Sequence, residues 1–280
     1  MTQPFICNTF SYIWKHPFHD CIGQLVDLGF NEFEVLLTAP HLWPEDCDAA
    51  HRRRLVQTLE ARDARIVSLN AGGFDNNLAS PGRSVRAFAQ QYLRDTIDLA
   101  ADLGAHDVVM APGLGRGLVP PPHEAMLGWF REGLEALARH AESRDVRLLL
   151  ENVPFSFLPR VDQMMAAIEG LPPERVGIVY DVANAVFVRE DPVEGLKAAL
   201  SRIRLIHLSD TPLNTWRHAP VGRGAVPFEQ VGAALRDLDC TAPLVLEIIT
   251  ETPEQDILSS ASALTKMGYE RRGNNSAASH

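Results

Sequence analysis

The amino-acid sequence predicts an α/β protein built as a single (β/α)8 TIM barrel. Three observations carry that expectation. Short β-branched and aliphatic runs alternate with amphipathic helical stretches along almost the whole chain, and the alternation completes eight rounds. No glycine-rich turn of the dinucleotide-binding kind follows the first strand, which favours closure at eight strands over an open doubly wound sheet. Four consecutive apolar runs in the second half end on Glu151, Asp181, His207 and Glu247, and a barrel presents reactive groups at the C-terminal ends of its strands.

Taken in order, residues 5–8 read as the first strand, and residues 19–28 as a helix with Ile22, Leu25 and Val26 on one face before Gly29 stops it. Residues 32–37 form the second strand. A charged helix over 48–61 turns Leu55, Val56 and Leu59 inward and leads to a third strand at 65–69. The segment G-G-F-D-N-N-L-A-S-P-G after Asn70 is a loop by composition, and 84–103 is a long amphipathic helix ended by Gly104. Residues 107–111 make the fourth strand. The following P-G-L-G-R-G-L-V-P-P-P lacks the Lys-Ser/Thr of a phosphate loop and reads as a mobile loop over the barrel mouth.

A helix over 123–144 carries Leu127, Phe130, Leu134, Leu137 and Ala141 on one stripe, and a fifth strand closes on Glu151. Residues 161–168 form a short helix, 176–181 the sixth strand, and 191–200 a helix with Asp191 as N-cap and Pro192 in the first turn. The seventh strand, I-R-L-I-H-L, holds His207, and the loop 211–224 after it is among the longest in the chain. A helix over 228–238, an eighth strand with Glu247, and a last helix over 257–267 opened by Thr252 and Pro253 complete the count. No interdomain linker interrupts residues 1–270, which are expected to be one domain, and residues 271–280 are a polar tail expected to be disordered.

Composition narrows the function. A net charge of -10 leaves no basic footprint for nucleic acid. No apolar run approaches the roughly 18 residues of a membrane span, and the first ten residues do not resemble a targeting segment, so a cytoplasmic protein with no membrane partner is expected. Cys7, Cys21, Cys47 and Cys240 are scattered without a C-x-x-C pair, which argues against a thiolate zinc site or a disulfide framework. Lysine is confined to Lys15, Lys197 and Lys266, and none stands on a strand where a Schiff-base aldolase needs one.

Glu151, Asp181, His207 and Glu247 would line an arc of the mouth, since the eighth strand returns beside the first. Three carboxylates in a low-dielectric mouth repel one another and take up protons unless a cation neutralises them. Three oxygen ligands and one imidazole suit a single divalent ion such as Mn²⁺, Mg²⁺, Co²⁺ or Zn²⁺. The competing reading is four structural residues paired with arginines. Asn8, Asn70, Asn152 and Asn184 at strand ends either bind substrate hydroxyls or cap loops. Arg217 and Arg223 are candidates for a phosphate or carboxylate, or else surface partners. Trp14, Trp43, Phe74, Phe155 and Trp216 fall in mouth-side loops, where aromatic rings suit the apolar face of a sugar.

These motifs resemble the sugar phosphate isomerase/epimerase family, built on the xylose isomerase-like barrel shared with endonuclease IV. The matching residues are Glu151 in L-L-L-E-N, Asp181 in Y-D-V-A-N, His207 in I-H-L-S-D, the run H-A-P-V-G-R-G from His218 to Gly224, and Glu247 in L-V-L-E-I. The resemblance implies one divalent metal held by Glu151, Asp181, His207 and Glu247, with Glu151 and Glu247 as catalytic residues facing each other across the substrate. It implies proton transfer through a metal-stabilised enediolate of a keto-sugar or related polyol, with Asn8, Asn70, Asn184, His218 and Arg223 as substrate contacts. Dimers are common among such relatives, so a homodimer is a further expectation.

Two departures stand out. Asn184 occupies a position where ketose epimerases often carry histidine, and His218 one where many carry arginine, which points to a different substrate. Asn70 and Ala111 replace histidines that the nuclease branch uses for its metals. A dehydratase of an inosose or dehydroshikimate type substrate, and a non-catalytic sugar-binding barrel, are the alternatives the same residues leave open.

Overall fold

The apolar runs become strands that are buried on both faces, as parallel strands wrapped by helices must be. A computed structural model describes residues 3–72, 75–115 and 118–270. Its strands are β1 (Ile6–Asn8), β2 (Glu32–Leu36), β3 (Arg65–Asn70), β4 (Asp107–Met110), β5 (Arg147–Glu151), β6 (Val176–Asp181), β7 (Ile203–Leu208) and β8 (Leu244–Leu246). They pair in parallel in sequence order, and β8 pairs with β1, so the sheet is a closed barrel as expected.

The helices are α1 (Phe18–Asp27), α2 (Ala49–Glu60), α3 (Arg83–Asp102), α4 (His123–Ser143), α5 (Val161–Ala167), α6 (Val182–Phe187), α7 (Pro192–Ala199), α8 (Phe228–Asp237) and α9 (Pro253–Lys266). Local chemistry sets their ends. Asp48 accepts the backbone N–H of His51 to start α2, and Asp191 accepts those of Val193 and Glu194 to start α7 with Pro192 in its first turn. Gly29 and Gly104 end α1 and α3 at φ values of 95° and 74°, a conformation that glycine adopts without a Cβ clash.

Two hydrophobic layers fill the molecule. Outward-facing strand residues pack against the helices in the larger core, and Ile6, Val109, Leu149, Val179, Leu205 and Val245 fill the barrel interior. Polar residues occupy the interior above that plug, toward the C-terminal ends of the strands.

The structure adds elements that periodicity did not announce: short 3-10 turns at Phe10–Tyr12 and Pro44–Asp46, and the helix α6 directly after β6. The Asp181 carboxylate starts α6 by accepting the Asn184 N–H at 2.6 Å, so one side chain both ends a strand and caps a helix. Strand β8 stops at Leu246, one residue before Glu247. All four cysteines are free. Among the described residues no helix is long and apolar enough to cross a membrane. Phe74 and the tail 271–280 lie outside the described residues.

Candidate metal centre

Four neighbouring strands deliver the cluster. Glu151 is the last residue of β5, Asp181 the last of β6, His207 lies in β7 and pairs in register with Asp181, and Glu247 follows β8. One ligand atom from each lies within 4.8 Å of the others, and all four residues are buried. His207 Nδ1 is 3.1 Å from Glu247 Oε2, 3.5 Å from Glu151 Oε1 and 3.8 Å from Asp181 Oδ2. The expected arc of the mouth has therefore converged on a single point.

The electrostatics of that point ask for a cation. Burial, supported by Glu247 and Glu151 and opposed by His218 and His207, lifts the Asp181 carboxyl to about 7. Burial and the nearby Glu247 raise Glu151 as well. Burial also pushes Glu247 up, but His207 and His218 beside it outweigh that and hold it well below the usual carboxylate range. The two glutamates are thus driven in opposite directions. Asp181 Oδ2 is buried with no hydrogen-bond partner among the described residues, an expensive arrangement unless something binds there. Three carboxylate oxygens, one imidazole nitrogen and an orphaned oxygen among them fit a divalent ion.

His218 and Asn184 flank the cluster. His218 Nδ1 lies 3.1 Å from Glu247 Oε2 and 3.6 Å from Asp181 Oδ2; burial lowers its basicity, but these carboxylates raise it to about 9. Asn184 Nδ2 donates to Glu151 Oε1 at 3.3 Å, and Asn184 Oδ1 accepts Trp216 Nε1–H at 2.7 Å. Trp216 meets Phe155 and His218 edge to face, with ring centroids 5.4 and 5.8 Å apart. Phe155 holds its place at a φ of 74°, a strained backbone for a bulky residue.

A cavity of about 980 Å³ opens beside the cluster, with His218 in its wall. Trp14, Trp216, Lys15, Arg217 and Arg223 also line it. The Arg223 guanidinium is paired with Asp256 at 2.9 Å. Lys15 donates to the Glu251 carbonyl. Trp43 is not in this wall; it stacks on Tyr92 with centroids 4.7 Å apart. A smaller cavity of about 460 Å³ opens at the opposite end of the barrel, among Ile6, Val67, Leu244 and Tyr269, and holds no such cluster.

Asn8 and Asn70 sit lower, inside the barrel. Both amides point at Glu34 of β2, Asn8 Nδ2 at 2.7 Å and Asn70 Nδ2 at 3.4 Å from Oε1. Asn152 exchanges hydrogen bonds with the Asp181 backbone at both its amide atoms. Sequence reasoning passed over Glu34, which alternates with Glu32 along β2 and so reads as one of two ordinary strand carboxylates. Asp210 was also missed. It accepts the backbone N–H of Thr211, Gly222, Gly224 and Val226, and so folds the long loop after β7 into the shape that presents Trp216 and His218.

A closed eight-stranded barrel with a buried Glu/Asp/His cluster at the C-terminal ends of its strands defines a TIM barrel with a candidate metal centre. The chain belongs to the xylose isomerase-like TIM barrel family, whose model matches residues 22–267. It is 23% identical over 243 residues to the L-ribulose-5-phosphate 3-epimerase UlaE of Escherichia coli O8 (strain IAI1), covering 86% of this chain and 85% of that one. Among solved structures it superposes on a D-tagatose 3-epimerase-like protein with a TM-score of 0.82 at 18% identity, covering 94% of this chain and 97% of that one. It also superposes on the IolI protein, solved with a bound zinc atom, with a TM-score of 0.77 at 17% identity, covering 93% and 96%.

Proposed function

We propose that this protein is a divalent-metal-dependent epimerase or isomerase of a keto-sugar. The observation that carries the reading is the convergence of Glu151, Asp181, His207 and Glu247, with their ligand atoms within 4.8 Å, beside a cavity large enough for a sugar. A Mn²⁺, Mg²⁺, Co²⁺ or Zn²⁺ ion held by these four would polarise a substrate carbonyl and acidify the adjacent C–H.

The protein's own groups do the rest. One of Glu151 and Glu247 takes the proton from carbon, and the other returns one from the opposite side. His218 and Asn184 hold substrate oxygens. Of the two Asn184 Nδ2 hydrogens one goes to Glu151, leaving the second for a hydroxyl. The aromatic wall of Trp216 and Phe155 excludes water and packs on the apolar face of the sugar. Lys15 and Arg217 in the cavity wall favour a substrate that carries a phosphate, as the name of the L-ribulose-5-phosphate 3-epimerases suggests for those relatives.

The test is hydrogen exchange with solvent. Metal-loaded protein, offered ketopentoses and their 5-phosphates in deuterium oxide, should incorporate deuterium next to the carbonyl, and Glu151→Gln and Glu247→Gln should each abolish it. Incorporation that persists in both variants refutes the assignment. Loss of water from an inosose or dehydroshikimate in the same assay would convert the reading to a dehydratase.

A further inference from the structure

The histidine of the cluster has two ring nitrogens, and only Nδ1 faces the three carboxylates around the candidate metal position. Nε2 points the other way, toward β2. There it lies 3.0 Å from Glu34 Oε1, near enough for an ion pair, although its N–H is not aimed along that contact as a hydrogen bond. Both residues are fully buried. A buried carboxylate on the far side of an imidazole decides which nitrogen carries the proton and which way the ring is turned.

Glu34 is itself fixed in place. Its Oε2 accepts Ser68 Oγ–H at 2.7 Å, and its Oε1 accepts the amides of Asn8 and Asn70. Those amides cannot flip. Asn8 Oδ1 is taken by the Phe10 N–H at 2.7 Å and Asn70 Oδ1 by the Gly72 N–H at 2.9 Å, so each Nδ2 must face the carboxylate. Asn8 and Asn70, expected from the sequence to touch substrate, therefore serve Glu34. Strands β1, β2, β3 and β7 meet in this one polar layer, directly above the apolar plug of Ile6, Val109 and Leu205.

We propose that Glu34 is the positioning residue of the metal centre: held by Asn8, Ser68 and Asn70, it keeps the His207 proton on Nε2 and presents Nδ1 as the metal ligand. The inference rests on the metal site of the proposed function and not on its substrate. A carboxylate that orients a metal ligand typically changes metal affinity by about 10- to 100-fold; because a buried charge also attracts a cation directly, the tautomer of His207 is the readout that separates the two.

The experiment measures the Mn²⁺ dissociation constant by electron paramagnetic resonance for wild type, Glu34→Gln and Ser68→Ala, with thermal unfolding of each metal-free protein recorded alongside. Glu34→Gln should keep its fold and bind Mn²⁺ about 10- to 100-fold more weakly, while Ser68→Ala, which loosens Glu34 but keeps its charge, should weaken binding by a smaller factor. Glu34→Gln within threefold of wild type overturns the proposal. Because Glu34→Gln removes a charge from a buried network, wild type provides a second readout. In Zn²⁺-loaded protein labelled with ¹⁵N-histidine, His207 should show a protonated, slowly exchanging Nε2 and a metal-bound Nδ1, and the opposite tautomer overturns the proposal whatever the variant does. Wild type that binds neither metal removes the metal site and this inference together, whereas metal binding without sugar turnover removes only the substrate reading.

Discussion

Replacing Trp216 with phenylalanine tests how the loop after β7 reaches the chemistry. The substitution keeps a ring against Phe155 and His218 and deletes one group, the indole N–H that donates to Asn184 Oδ1 at 2.7 Å. Asn184 is fully buried, so its carbonyl oxygen loses its hydrogen-bond partner. An unsatisfied buried polar group costs about 1–3 kcal/mol. Urea unfolding of Trp216→Phe should show a loss of that size, and the Trp216→Phe, Asn184→Ala pair should be non-additive by about 0.5–3 kcal/mol, since each single change already breaks the bond. The same amide donates to Glu151, so turnover should fall with stability, about tenfold for each 1.4 kcal/mol felt only in the transition state. Additive effects on stability in the double-mutant cycle refute the idea that Trp216 sets the Asn184 amide.

Further outcomes follow from the charges around the cluster. In the metal-free protein Asp181 titrates near 7 because burial favours its neutral form, and a metal must displace that proton. Apparent Mn²⁺ affinity should therefore climb as pH rises through about 7 and go on climbing above it, because the surrounding carboxylates also raise the His207 imidazole, which must lose its proton to bind; net proton release should be seen by calorimetry, and affinity that falls with pH would contradict the assignment. Metal at about 100 times its dissociation constant should add about 2.7 kcal/mol of stability, visible as a rise in Tm that a chelator reverses and His207→Ala abolishes. In the cavity wall, Arg217→Ala should weaken binding of a ketopentose 5-phosphate about tenfold or more and leave the unphosphorylated sugar nearly unaffected, because a charge-assisted contact to phosphate is lost. Equal losses for both ligands would assign Arg217 to the loop.

Much of this protein is legible in its sequence because its fold is periodic. Eight apolar runs separated by amphipathic stretches leave a parallel barrel as the economical way to bury both faces of every strand, and the observed strand order follows it without exception. Glu151, Asp181 and His207 were recognisable because a titratable group at the end of an apolar run contradicts its surroundings, and the structure brings these three together with Glu247. Sequence position alone does not say which way a strand-end amide points. Asn8, Asn70 and Asn184 look equivalent on the chain, yet the first two face into the barrel toward Glu34 and the third faces Glu151. Their directions depend on closure, which places β1 and β3 on either side of β2, and on the Asp181 cap that starts α6 and carries Asn184 to the cluster. Arg223 likewise sits in a mouth-side motif, but a carboxylate of α9 holds its guanidinium at the rim. The sequence by itself determined the fold and the residue types of the cluster, since both are matters of pattern and chemistry along one dimension. Only the tertiary structure decided which polar groups are satisfied by their neighbours and which remain turned toward a ligand, because those partners lie on strands up to about two hundred residues apart, as between Asn8 and His207 on either side of Glu34.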